Sequence, residues 1–168
     1  EKNEGKEMRA GGGSSPRSLH YYLETYDNKG LVEAIENGGD LEEWGGELNG
    51  TPLAVASSKG HVGAVEILVK AGAKLEAKDR LGWAPLIHAA LHGHNEVVKL
   101  LLNAGADPDV KNNQGRSALH YAIAWNKYDA GVALMEGGAN LDLVLSFNEV
   151  DYESWERANA NLCAPHLL

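Results

Sequence analysis

Cysteine is nearly absent: Cys163 is the only one in 168 residues. A single thiol excludes an intramolecular disulfide and any zinc site built from several cysteines. Basic residues are outnumbered by acids, 15 to 24, for a net charge of −9. That balance argues against sequence-independent attraction to a phosphate backbone, which needs clustered Lys and Arg, so no nucleic-acid partner is expected. No apolar run approaches the roughly 20 residues of a membrane span, and none reads as a signal-peptide core. The expectation is therefore an intracellular protein without membrane insertion, cytoplasmic by default, with an organelle entered after transit-peptide removal as the alternative. The length allows roughly 70% of the unfolded surface to be buried, so a core can form without disulfide or metal.

What the chain does have is a period. TPLAVASSKGHVGAVEILVKAGAKLEAKD from Thr51, APLIHAALHGHNEVVKLLLNAGADPDVKN from Ala84 and SALHYAIAWNKYDAGVALMEGGANLDLV from Ser117 align without gaps, starting 33 residues apart. Leu53, Leu86 and Leu119 coincide, as do Ala56, Ala89 and Ala122, then Gly72, Gly105 and Gly138. Each unit reads as two short antiparallel helices and an extended hairpin. Thr51 and Ser117 suit N-caps, and Pro52 and Pro85 fall at a first helical position, where a missing N–H costs nothing. Alanines keep the first helix thin. The second helix carries the larger apolar stripe, Val65, Leu68 and Val69, then Val98, Leu101 and Leu102. Gly72 and Gly105 fit helix ends that need a left-handed residue, and AKDRLG and KNNQG supply polar turns.

These residues resemble the ankyrin repeat, whose T-P-L-H-x-A, G-H and V-V-x-L-L-L-x-x-G-A-D stretches are matched best by the unit from Ala84. A weaker copy, SLHYYLETYDNKGLVEAIENGGDLEE, precedes them one residue out of phase, through an insertion in WGGELNG. The expected fold is an all-α solenoid of stacked helix-turn-helix units with short β-hairpin connectors. Its domain covers 18–161: a weak first repeat at 18–50, repeats at 51–83, 84–116 and 117–148, and a terminal capping helix at 149–161. Val150, Trp155 and Ala158 are candidates to cover the end, since stacked repeats need polar-faced caps. Residues 1–17 and 162–168 are expected to be tails, and a first residue other than Met fits a trimmed or processed chain. The family's His after the first Leu is replaced by Ala54 and Ile87, so only Ser117 with His120 retains the usual hydroxyl–imidazole pair. Gly131 falls inside a second helix, at about 1 kcal/mol against Ala.

Chemistry is harder to find. His88, His92 and His94 have metal-like spacing, but Gly93-His94 belongs to the repeat pattern, as does Gly60-His61, and no convergent third ligand is evident. Cys163 and His166 lie in a terminal segment without the pocket or oxyanion donors that nucleophilic catalysis needs. GGGSS lacks the Gly-Lys-Ser/Thr of a phosphate loop. No catalytic, cofactor or metal residue is assigned.

The resemblance implies a non-catalytic module binding a protein partner on a concave surface of hairpin tips and the exposed side of the first helices. Carried over residue by residue, the partner-facing positions are Arg80, Leu81 and Trp83 at one tip and Asn113, Gln114 and Arg116 at the next. Ser58, Lys59, Leu91, His92, Ala124 and Trp125 follow on the helices, with Glu24 and Thr25 in the weak copy. Trp83 and Trp125 would be anchors, Leu81 and Leu91 would surround them, and Arg80 and Arg116 would orient the partner. The alternative for Trp83 and Trp125 is packing over neighbouring hairpins. Residues 18–50 carry eight acids and one base, whereas 51–83 carry five bases and three acids. Two other roles follow as alternatives: a permanent structural subunit of a larger assembly, or a targeting or chaperone factor holding a basic client through the acidic first repeat.

Overall fold

A computed structural model describes residues 17–46 and 48–145. The expected tails, apart from Arg17, and the expected terminal helix at 149–161 lie outside the described residues, as do Cys163 and His166. Four helix pairs follow one another: α1 (Leu19–Glu24) with α2 (Asn28–Glu36), α3 (Pro52–Lys59) with α4 (Val62–Lys70), α5 (Pro85–His92) with α6 (Asn95–Asn103), and α7 (Ala118–Ala124) with α8 (Tyr128–Glu136). A four-residue helix, α9 (Asp142–Leu145), closes the described chain. Helices α1, α3, α5 and α7 pack side by side in one layer, and α2, α4, α6 and α8 in a second. This is the solenoid that the 33-residue period implies.

The first layer is close-packed because its helices are nearly featureless on both flanks. Ala54, Ala56, Ala89, Ala90, Ala118 and Ala122 are all fully buried. Leu53, Leu86 and Leu119 of the first helices are fully buried in one core cluster with Leu68, Leu101 and Leu134 of the second helices. Val69 and Leu102 complete that stripe only as half-buried flanks. The second helices end as the glycines suggest: Gly38, Gly72, Gly105 and Gly138 have φ between 87° and 99°.

The connectors are tighter than β-hairpins. Among the described residues they contribute only the isolated bridges Gly45–Gly50 and Lys111–Ser117, with no longer strand. Asp79 and Asn112 each open a turn that closes on a left-handed glycine, Gly82 or Gly115.

Candidate functional site

Two buried polar pairs set the positions of the turn tips. The Asp79 carboxylate, almost wholly buried, accepts the N–H groups of Leu81 at 2.8 Å and Trp83 at 2.9 Å through one oxygen. Its other oxygen accepts from His88 Nε2 at 2.9 Å, which fixes the proton on that nitrogen. One unit later Asn112 does the same work without charge. Its Oδ1 accepts from Gln114 and Arg116 N–H at 3.0 Å each, and its Nδ2 donates to the Tyr121 hydroxyl at 2.7 Å. Burial holds the His88 pKa below its ordinary value, outweighing the hydrogen bond and charge of Asp79 that act the other way. His120 accepts the Ser117 N–H at 3.1 Å on Nδ1, with Ser117 Oγ at 2.9 Å, the hydroxyl–imidazole pair anticipated for this unit.

On this frame the expected contact residues fall into two groups. Arg80, Leu81, His92, Asn113, Gln114, Arg116 and Trp125 are exposed, with Leu81 at 63% and Trp125 at 62%. Ser58 and Lys59 are half-buried at the end of α3, and Ser58 Oγ lies 3.3 Å from His92 Nε2. Asn113 is held by packing, its N–H donating to Leu81 O at 3.3 Å and its Nδ2 to Arg80 O at 3.5 Å. Trp83 and Leu91 correct the expectation of solvent-facing side chains: both are half-buried against the core. The Trp83 ring is wedged between His88 and Tyr121, with centroids 5.3 and 4.7 Å away, because the turn that Asp79 closes folds it inward. Trp125 caps α7 and projects outward.

The acidic first unit also differs from a simple charged patch. Glu43 Oε1 accepts from Leu19 N–H at 2.7 Å and from Ser18 Oγ. Glu42 accepts Lys74 N–H from the next unit at 2.8 Å. The Glu42 contact recurs: Glu76 accepts Asp107 N–H at 2.9 Å, and Asp109 accepts Asn140 N–H at 2.8 Å. A carboxylate from each unit thus latches the backbone of the following one. Sequence reasoning missed these latches and the Asp79–His88 pair. The available signal is the period itself: Asp79 and Asn112 stand 33 residues apart, with His88 and Tyr121 nine residues after each, and Glu76 and Asp109 also stand 33 apart.

Ankyrin repeats (3 copies) is the family description that matches, over residues 19–112 and again over 78–144, most of the chain. The chain belongs to the ankyrin repeat family. No curated protein matches it. Ankyrin repeats generally mediate protein–protein interaction, and proteins built from them are typically non-enzymatic. Among the described residues no group of three or more His, Cys, Asp or Glu could hold a metal ion, and no helix is long and apolar enough to cross a membrane.

Proposed function

We propose that this ankyrin stack is a protein-binding module or adaptor whose partner lies across the turn tips and first-helix ends. The observation that carries the reading is the exposure of Leu81 and Trp125, large apolar side chains of the kind enriched at contact surfaces, at a turn tip and a first-helix end on two different units. Arg80, Gln114 and Arg116 flank them as polar contacts, and Ser58, Lys59, His92 and Asn113 border the path between. Trp83 and Leu91 act beneath this surface by holding its shape. The module is taken to span 18–161 in four units and a terminal helix. A basic client held by the first unit is the weaker reading, since Glu42 and Glu43 already accept backbone N–H groups.

The test is partner capture from native extract, quantified by mass spectrometry, with the parent chain against Leu81→Ala/Trp125→Ala. Both side chains are exposed, so the variant should keep its helical circular dichroism. Loss of a dominant partner is the expected result. An unchanged set of partners would remove the turn tips and first-helix ends as the working surface.

A further inference from the structure

The turns that carry Leu81 and Asn113 are joined into one platform. The Asn113 N–H donates to Leu81 O at 3.3 Å and its Nδ2 to Arg80 O at 3.5 Å. Lys78 Nζ reaches across and donates to Lys111 O at 2.8 Å. Lys111 and Ser117 form an isolated bridge that closes the second turn and returns Arg116 to the side of Lys111. Residues 78–83 and 111–116 thus bring together four bases, Lys78, Arg80, Lys111 and Arg116, all exposed, against one acid, Asp79. The chain as a whole has a net charge of −9, so this platform runs against its sign.

Acids within the stack leave this charge in place. Asp79 is buried and committed to His88 and two turn amides. Glu76 lies within the field of Lys78 but already accepts the Asp107 N–H. Asp107 accepts the Asp109 N–H, and Asp109 accepts that of Asn140. Among the described residues the Lys–carboxylate ion pairs are Lys29–Glu33 and Lys70–Glu66, and neither includes a base of the platform. Burial holds the His120 pKa below its ordinary value, and the charges of Arg116 and Lys111 press the same way, against a hydrogen bond with Leu143. Their positive field therefore reaches a side chain beneath the tip. Lys and Arg are charged at neutral pH, so four like charges repel one another until an anion lies among them.

We infer that Lys78, Arg80, Lys111 and Arg116 dock an acidic segment of a partner protein across the two turn tips, with an apolar residue of that segment seated on Leu81. The inference rests on the protein-binding reading and names the chemistry of the partner. Two features select an acidic peptide over a longer polyanion such as a nucleic acid. Leu81, exposed beside Arg80, offers an apolar contact that a phosphate chain does not use. The connector of the first unit also reverses the charge: residues 40–46 carry Asp40, Glu42 and Glu43 and no base. A polyanion following the tips would meet that acidic turn, whereas a short acidic segment ends at the two basic ones. Neighbouring helices lie about 8–10 Å apart. An extended peptide advances about 3.3 Å per residue, so side chains three residues apart reach successive tips.

The probe is a rhodamine-labelled peptide of about 12 residues repeating Glu-Glu-Leu, measured by fluorescence anisotropy on the full chain. A Gln-Gln-Leu peptide of the same length is the control. The Glu peptide is expected to bind about tenfold more tightly than the Gln peptide at about 50 mM salt and to lose most of that advantage at about 500 mM. Arg80→Gln/Arg116→Gln should weaken Glu-peptide binding about tenfold and flatten its salt dependence, with Gln-peptide binding unchanged. Leu81→Ala should weaken both peptides alike, by about threefold. Lys78→Gln/Lys111→Gln, on exposed side chains, serves if the arginine variant loses its helical circular dichroism. Equal affinity for the two peptides at low salt, or binding unmoved by the charge variants or by Leu81→Ala, would overturn the inference. So would tighter binding of a single-stranded DNA of equal charge, or a dimer of the chain that Arg80→Gln/Arg116→Gln dissociates, which would assign the tips to a second copy. A cellular partner lost with Leu81→Ala/Trp125→Ala but retained by Arg80→Gln/Arg116→Gln would overturn it too, leaving the protein-binding reading in place.

Discussion

Asp79 shows what a single buried carboxylate does in a repeat. It opens and braces one turn, fixes the next first helix through His88, and seats Trp83 by holding its N–H. Asp79→Ala would orphan two amides and a buried imidazole, at a cost of about 3 kcal/mol. The Asn112–Tyr121 pair shows a neutral solution at the equivalent place, so Asp79→Asn/His88→Tyr should recover more than half of that loss in urea unfolding at pH 7.5. The exchange also carries a pH signature. A histidine whose folded pKa lies below its unfolded value binds fewer protons when folded. Its stabilising contribution is then complete above the ordinary value of 6.5 and is lost as pH falls below it. His61, His92 and His120 shift in the same direction, so Tm should drop between pH 7.5 and pH 5.5. Asp79→Asn/His88→Tyr should show a smaller drop, because one of the four groups is gone. An equal drop would mean that His88 is protonated alike in the folded and unfolded chains.

At the scale of elements, the end of each first helix requires a left-handed residue, and the chain meets that need with three residue types. Gly60 and Gly93 have φ of 70° and 78°, Asn126 has 53°, and Tyr26 has 58°. Both non-glycine residues carry a Cβ that crowds the following carbonyl, and tyrosine, without asparagine's short polar side chain to offset it, pays the larger penalty, about 1 kcal/mol. Tyr26→Gly should therefore raise the urea midpoint, despite the lost contact with the His61 ring, by the equivalent of about 0.5–1 kcal/mol. A lower midpoint would show that the ring contact outweighs the backbone. The helix pairs, their order and their glycine ends were all legible in the sequence, because a 33-residue period repeats Leu, Ala and Gly at fixed places. The latches were not. Glu76 and Asp109 stand 33 residues apart, as do the amides of Lys74, Asp107 and Asn140, but an acid on a solvated turn carries no sign that a backbone N–H lies within reach. The same reason hides Trp83: its position in the repeat faces a tip, and only the turn closed by Asp79 directs it inward. Leu81 and Trp125 were legible as positions facing solvent, because the repeat pattern puts them at a turn tip and at the end of a first helix.

For the whole molecule, stability is the sum of unit contributions and the interfaces between successive units. The central units have a neighbour on each side and supply Leu53, Val55, Leu68, Leu86, Ile87 and Leu101 to the fully buried set, whereas the first supplies Leu19, Leu23 and Leu31. Helix α1 is also only six residues long, and among the described residues α3 is its one partner within the layer. Opening the first unit sacrifices one interface; opening a central unit sacrifices two. Amide hydrogen exchange should accordingly be slowest in α3 and α5 and should rise to the global unfolding free energy there, while α1 and α2 exchange through a cheaper local opening. Leu86→Ala, costing about 2–5 kcal/mol, should lower protection throughout the stack. Leu23→Ala should lower it in α1 and α2 first and leave α5 and α6 nearly unchanged. Equal protection from α1 to α8, falling uniformly in both variants, would instead mean that the units unfold as one. In that case the interfaces dominate so strongly that the weak sequence match of the first repeat has no counterpart in its stability.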